Sequence, residues 1–245
     1  MSRKRLIEIA GGIFSILVSS VGFTAPSFAS TPDNAVGELA ELNPGMTRAE
    51  VVLKVNNLSG KIGLTPKEII NQALLDARAS AAASTADVVG LRSGGGNTTL
   101  LGSGSQKGDV FWSPAATLFI QHGHSGIYYS KAVVVEAPGL GKNSWSIYAK
   151  SVRVGSGTQK QHVLTTQKNR DAAANYAYRY MRNKPYNNVF FDNKHVPSSS
   201  YNCSQLVWGA YKKASNIDLD GNGGLGVYPV DIRDSRLTST YFIIW

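Results

Sequence analysis

The apolar positions of this chain change rhythm along its length. Between residues 33 and 83 the spacing is helical. Thr47–Glu50 reads Thr-Arg-Ala-Glu, a capping box, and Val51, Val52, Val55 and Leu58 follow at helical intervals. Thr65–Glu68 reads Thr-Pro-Lys-Glu, a second capping box with Pro66 at the first helical position, and leads into Ile69, Ile70, Ala73, Leu74 and Ala77. The pair predicts an antiparallel helical hairpin turning around Gly60–Gly63, within a helical N-terminal region spanning 30–83. Residues 84–105 are rich in Gly, Ser and Thr and read as a flexible linker.

From Gly108 the segments become short and rich in β-branched or aromatic residues. DVFWS, GIYYS, AVVVEA, SVRVG and QHVLTT, separated by Gly, Ser or Lys, predict strands with local antiparallel connections. Asn169–Asn183 then returns to helical spacing, with Ala173, Ala177 and Tyr180 on one face and Pro185 as its stop. A loop leads to a second helix that begins at Cys203, and TSTYFIIW closes the chain as a last strand. A sheet followed by helices predicts an α+β domain over residues 106–245.

The first residues change the expected compartment. Arg3, Lys4 and Arg5 precede an apolar run from Ile9 to Phe23, and Ser27 and Ala29 form a small-x-small site. This is the pattern of a secretory signal peptide, residues 1–29. Gly11, Gly12, Ser15, Ser19 and Ser20 interrupt the run, which falls short of the roughly 20 apolar residues of a membrane span. The expected protein is therefore secreted, or extracytoplasmic. The leader carries three of the chain's 25 basic residues and one of its 16 acidic ones, so the remainder keeps a net charge of +7. The cations are scattered, with no basic block of the kind that binds nucleic acid, so no nucleic-acid partner is expected. Electrostatic attraction to an anionic envelope is the partner the charge favours.

Cys203 is the single cysteine, so it cannot form an intramolecular disulfide. A small buried hydrophobe, an intermolecular bridge and a nucleophile are the three roles open to it. Its position favours the last. Leu206, Val207, Ala210, Tyr211 and Ala214 mark a helix with one buried face, and Asn202 is a good N-cap, which places Cys203 in the first turn. The unpaired N–H groups and dipole there stabilise a thiolate.

A thiolate nucleophile needs a histidine to carry its proton and a third group to orient that histidine. Of the four histidines, His162 sits in a strand-like run and His195 in a loop. His122 and His124 flank Gly123, just before a strand, and either can serve as base or ligand. Third and fourth metal ligands at a familiar spacing are missing, so no metal is expected. Glu136 lies on the following strand, where pairing would bring its carboxylate to the imidazole.

Six segments then come in a recognisable order: GDVFW (Gly108–Trp112), GHSGIYY (Gly123–Tyr129), VVVEAPG (Val133–Gly139), NKPYN (Asn183–Asn187), YNCSQLVWGAY (Tyr201–Tyr211) and Asn216–Ile232. This order resembles the permuted papain-like cysteine hydrolases, the YiiX/YycO-like branch related to NlpC-type cell-wall peptidases. The histidine strand precedes the cysteine helix, which is the permuted order. The resemblance covers residues 106–245 and implies a circularly permuted papain-like domain, an antiparallel sheet packed on helices, preceded by the helical hairpin. It implies Cys203 as nucleophile, His124 rather than His122 as its partner, and Glu136 as the third member. Tyr186 matches an aromatic residue lining the cleft, and Tyr201 is near enough to join it as a substrate or oxyanion contact. No cofactor is implied, and His122 receives no role.

The expectation is an exported cysteine hydrolase cleaving amide bonds of peptidoglycan stem peptides through a Cys-His-Glu mechanism. Two alternatives stand beside it: an acyl amide or ester hydrolase using the same site, and a non-catalytic wall-binding module. Trp112, Tyr128, Tyr129, Phe190, Phe191 and Trp208 are the aromatic residues an apolar pocket could draw on, although most are expected in the core. The helical hairpin is either a pro-region over the cleft or a spacer. Asp218–Gly223 imitates the start of a calcium loop, but Pro229 stands where the bidentate Glu belongs, so a plain turn is expected.

Overall fold

Three helices open the described part of the chain: α1 (Pro32–Glu41), α2 (Arg48–Ile62) and α3 (Pro66–Val89). The computed structural model describes residues 32–43, 45–89, 98–114, 116–117, 120–121 and 123–245. The expected leader and His122 lie outside them. The expected hairpin is α2–α3. The Thr47 box forms as its sequence dictates, with Glu50 Oε2 accepting from the Thr47 backbone N–H at 2.7 Å, and Gly63 ends α2 in the left-handed region at φ 75°. Two features differ from the sequence reading. A third helix, α1, lays Ala35 and Leu39 on the hairpin, and α3 continues to Val89 into the stretch read as linker. The reason for the longer helix is its alanine-rich run from Ala77 to Ala83, which contains no helix breaker.

The three helices pack directly on the rest of the protein. Leu39, Val51, Val55, Ile69 and Leu74 form one apolar cluster with Val189 and Phe191 of the loop that precedes Cys203. Asn43 Oδ1 accepts from the Phe190 N–H at 3.0 Å, and Asp76 Oδ2 from the Leu225 N–H at 2.9 Å. Burial and polar pairing thus fix the N-terminal helices to the loops around the cysteine helix.

Strands β1 (Thr99–Leu100), β2 (Val110–Ser113), β3 (Ala116–Thr117), β4 (Ile120–Gln121), β5 (His124–Ser130), β6 (Val133–Glu136) and β7 (Trp145–Tyr148) come next. After a 3-10 turn come β8 (Arg153–Val154), β9 (Thr158–Val163), α4 (Gln167–Tyr180), α5 (Cys203–Ser215), α6 (Pro229–Arg233) and β10 (Thr238–Ile244). Six strands build one antiparallel sheet in the order β10-β9-β2-β5-β6-β7. β1 pairs with β8, so the latter part of the stretch read as linker is a strand. The period-2 alternation gives the sheet two apolar faces. Val110, Ile127 and Val135 meet α4 and α5, while Phe111, Tyr128 and Val134 meet Leu101, Ala149, Val152 and Val154. The architecture is α+β, an antiparallel sheet packed on helices.

Candidate active site

Cys203 is the first residue of α5. Asn202 caps the helix: its side chain accepts from the Gln205 N–H at 2.8 Å, and Gln205 Oε1 in turn accepts from the Asn202 N–H. Asn187 Nδ2 and the His195 carbonyl hold the Gln205 amide from both ends, at 2.9 and 3.1 Å. The cap therefore sits on a rigid polar frame, and the sulfur is presented where the first-turn N–H groups lack intrahelical partners.

His124 begins β5, and Glu136 ends β6, its antiparallel neighbour. His124 Nε2 meets Glu136 Oε2 at 2.8 Å, and the imidazole interacts with the Cys203 thiol. With Nε2 committed to the carboxylate, Nδ1 is the nitrogen that faces the sulfur. Two glycines make room for this strand end. Gly123 has φ 71°, and a Cβ there would strike the Trp112 indole nitrogen, while a Cβ on Gly126 would come within 2.6 Å of the Phe111 ring.

Glu136 Oε1 accepts a second bond, from Trp145 Nε1 at 2.9 Å. Trp145 faces Glu136 across the β6–β7 register. The sequence reading missed it; its only signal was the strand-like run Trp145–Tyr148. Tyr186 is close enough to Cys203 for the two groups to shift each other's ionisation. Tyr201 does not join them: its ring is buried in the main core and its hydroxyl accepts from the Ser198 N–H at 2.8 Å. The structure therefore assembles Cys203, His124, Glu136 and Tyr186, and adds Trp145.

The electrostatics favour an ion pair. Burial pushes the His124 imidazole down, but hydrogen bonds and charge from Cys203 and Glu136 outweigh it and raise the pKa to about 10. Burial pushes the thiol up; the imidazolium, with N–H donors from Ser125 and Ser204, more than offsets that and leaves it below the ordinary thiol value. Glu136 follows the same logic, raised by burial and lowered further by His124 and Trp145, so it stays ionised. The Tyr186 phenol is held well above its usual value, by burial first and by the neighbouring sulfur second, so it remains a donor.

The other expected features have ordinary explanations. Trp112, Tyr128, Phe190, Phe191 and Trp208 are buried in packed clusters, and Tyr129 stacks on Tyr178 at 3.9 Å. His162 pairs with Asp109 at 2.9 Å and stacks on Tyr241, remote in role from Cys203. In the calcium-like loop Asp218 accepts from Trp208 and Lys212, Asp220 pairs with Lys194, and Asn222 donates to Asp231. Among the described residues no group of three or more His, Cys, Asp or Glu side chains is placed to hold a metal ion.

This chain is 31% identical over 228 residues to the uncharacterized protein YycO of Bacillus subtilis (strain 168), covering 91% of this chain and 92% of that protein. It belongs to the YycO family. No family model matches. Among solved structures, the metalloprotein yiiX of Escherichia coli O157:H7 aligns with 57% of this chain and 98% of its own, at 15% identity and a TM-score of 0.41. The kinship with YycO agrees with the YiiX/YycO-like order of motifs noted in the sequence. In this YycO-family chain the cysteine, histidine and glutamate of those motifs converge, with His124, Glu136 and Trp145 in one hydrogen-bonded chain and Cys203 coupled to the imidazole.

Proposed function

We propose that this chain is a cysteine hydrolase of the bacterial envelope that cleaves amide bonds in peptidoglycan stem peptides. The observation that carries the reading is the Cys203–His124–Glu136 relay, with the thiol at a helix N-terminus and the carboxylate at 2.8 Å from the imidazole. The leader pattern and the net charge of +7 without it support the envelope as its place.

The thiolate attacks the carbonyl carbon while His124 stays protonated on Nδ1. The oxyanion forms beside the Cys203 N–H, and the Tyr186 hydroxyl donates to it. His124 then protonates the departing nitrogen; the C–N bond breaks and a thioester remains. A water deprotonated by the now neutral imidazole attacks the thioester, releasing the acid and restoring the thiol. Glu136 keeps the imidazole oriented through both steps, and Trp145 keeps Glu136 in place.

The test is the pH dependence of iodoacetamide alkylation at Cys203. The wild type should react fast well below pH about 8.5, the ordinary thiol value, and His124→Ala should lose that fast phase. Slow reaction with an ordinary thiol profile in both proteins refutes the hydrolase reading and favours the wall-binding module.

A further inference from the structure

A cavity of about 460 Å³ opens beside the imidazole, lined by His124, Glu136 and Trp145 and continuing over Pro138, Ile147 and Arg153. The thiol itself is 2% exposed, whereas the His124 side chain is 19% exposed, so open space meets the pair on the imidazole side. The leaving nitrogen takes its proton from Nδ1 of this same ring, at the edge that faces the sulfur. The cavity is therefore placed for the half of the substrate that departs.

Its charge is simple to count. Glu136 is spent on His124 and Trp145. Arg153 is not spent: it sits on the short strand β8, exposed, and its guanidinium reaches only Thr98 Oγ1, at 3.4 Å. No carboxylate pairs with it among the described residues. Lys142 lies 5.8 Å from the Trp145 ring and adds a second cation near the same wall. A free guanidinium beside proline, isoleucine and indole surface suits a carboxylate carried on a partly apolar group, because its planar fork binds both oxygens at once.

We propose that this cavity receives the leaving group and that Arg153 selects leaving amines that carry a carboxylate. The inference rests on the cysteine-hydrolase reading and extends it to substrate class: an amide whose amine half is an amino acid with a free carboxyl group. The bond that breaks is the C–N bond of that amide. The proton comes from His124, and the carboxylate stays on the departing amine, held by Arg153, until it diffuses away.

The experiment uses two probes that alkylate Cys203 and differ in one group, N-iodoacetyl-leucine and its carboxamide. Rates are measured at about 150 mM salt, where general attraction to a basic surface is largely screened, and normalised to a free cysteine peptide. The acid should react about tenfold faster than the amide in the wild type. Arg153→Gln should bring that ratio close to one, Arg153→Lys should keep part of it, and Lys54→Gln, which removes an exposed cation of α2, should keep all of it. A wild-type ratio near one, or an equal fall in Lys54→Gln, overturns the assignment. If the ratio fails while the thiol still reacts fast at low pH, the hydrolase reading survives without this pocket. A slow, ordinary thiol overturns both.

Discussion

Glu136→Gln isolates what the carboxylate contributes. Glutamine keeps the volume but offers one acceptor where glutamate offers two, to His124 at 2.8 Å and Trp145 at 2.9 Å. If its oxygen turns to Trp145, its NH₂ faces Nε2 and fixes a neutral imidazole; if it turns to His124, two donors confront each other at the indole. The magnitude comes from the imidazole pKa, about 10 against 6.5 for the free group. At about 1.4 kcal/mol per pH unit, the surroundings favour the imidazolium by about 5 kcal/mol. Cys203 and Glu136 share that gain, so losing the carboxylate should cost about 2 kcal/mol, or roughly 30-fold in the population of the ion pair. Iodoacetamide alkylation from pH 4 to 10 reads it out. At pH 6 the variant should react roughly 30-fold more slowly, its thiolate shoulder displaced upward by about 1.5 units, and the two proteins should converge near pH 9.5 as the thiol ionises without help. Matching near-ultraviolet dichroism shows that the fold is intact. Superimposable profiles would refute the claim that Glu136 stabilises the imidazolium, and would reduce it to a packing residue. The same sign governs hydrolysis: the proton donor is present below the His124 pKa, so turnover should fall as pH rises through about 10.

Two further outcomes are expected. Tyr186→Phe removes a hydrogen bond to the sulfur and the oxyanion site, worth about 1.5 kcal/mol or more for a charged acceptor, so turnover should drop about tenfold and the thiolate shoulder should move to higher pH; unchanged values for both would place Tyr186 outside the chemistry. Asp231 is pushed up to about 7, by burial first, against the Tyr228 N–H and with the negative charges of Asp220 and Asp76 adding to the rise. The folded state then holds a proton that the unfolded state releases near 3.8, so this group lowers stability as pH climbs from about 4 to 7. Thermal melts of Asp231→Asn should show a smaller loss over that interval than the wild type, and identical slopes would refute the assignment.

The features legible in the sequence lay within a few residues of their own cause. The thiol position followed from Asn202 and the apolar spacing after it, and the capping boxes at Thr47 and Thr65 form as written. The His124–Glu136 contact spans 12 residues and one strand turn, so a single hairpin register was enough to foresee it. Composition misled at both ends of the stretch read as linker: α3 runs on to Val89, and residues 98–105 resemble linker because their partner strand, β8, begins more than fifty residues later and only tertiary pairing makes Thr99–Leu100 a strand. α1 carries few large apolar residues, chiefly Leu39, and declares itself through the cluster it joins.

The same distinction explains why the reacting groups were easier to find than the groups that would choose a substrate. A thiolate must be stabilised by its own helix terminus and an adjacent imidazole, and both leave local marks. A pocket wall needs only to be nearby once the chain has folded. Trp145 is one residue of an ordinary strand until the β6–β7 register sets it against Glu136, and Arg153 in SVRVG reads as a solvated strand charge. Its significance depends on the lack of a carboxylate partner among the described residues and on sharing the cavity wall with His124. Neither condition is written within reach of residue 153. If the alkylation ratio follows Arg153 as expected, the identity of the leaving group is specified by residues assembled from β6, β7 and β8, while the chemistry is specified by the first turn of α5 and the first residue of β5. Substrate choice in this chain can then shift by changes on one wall while the Cys203–His124–Glu136 geometry stays fixed.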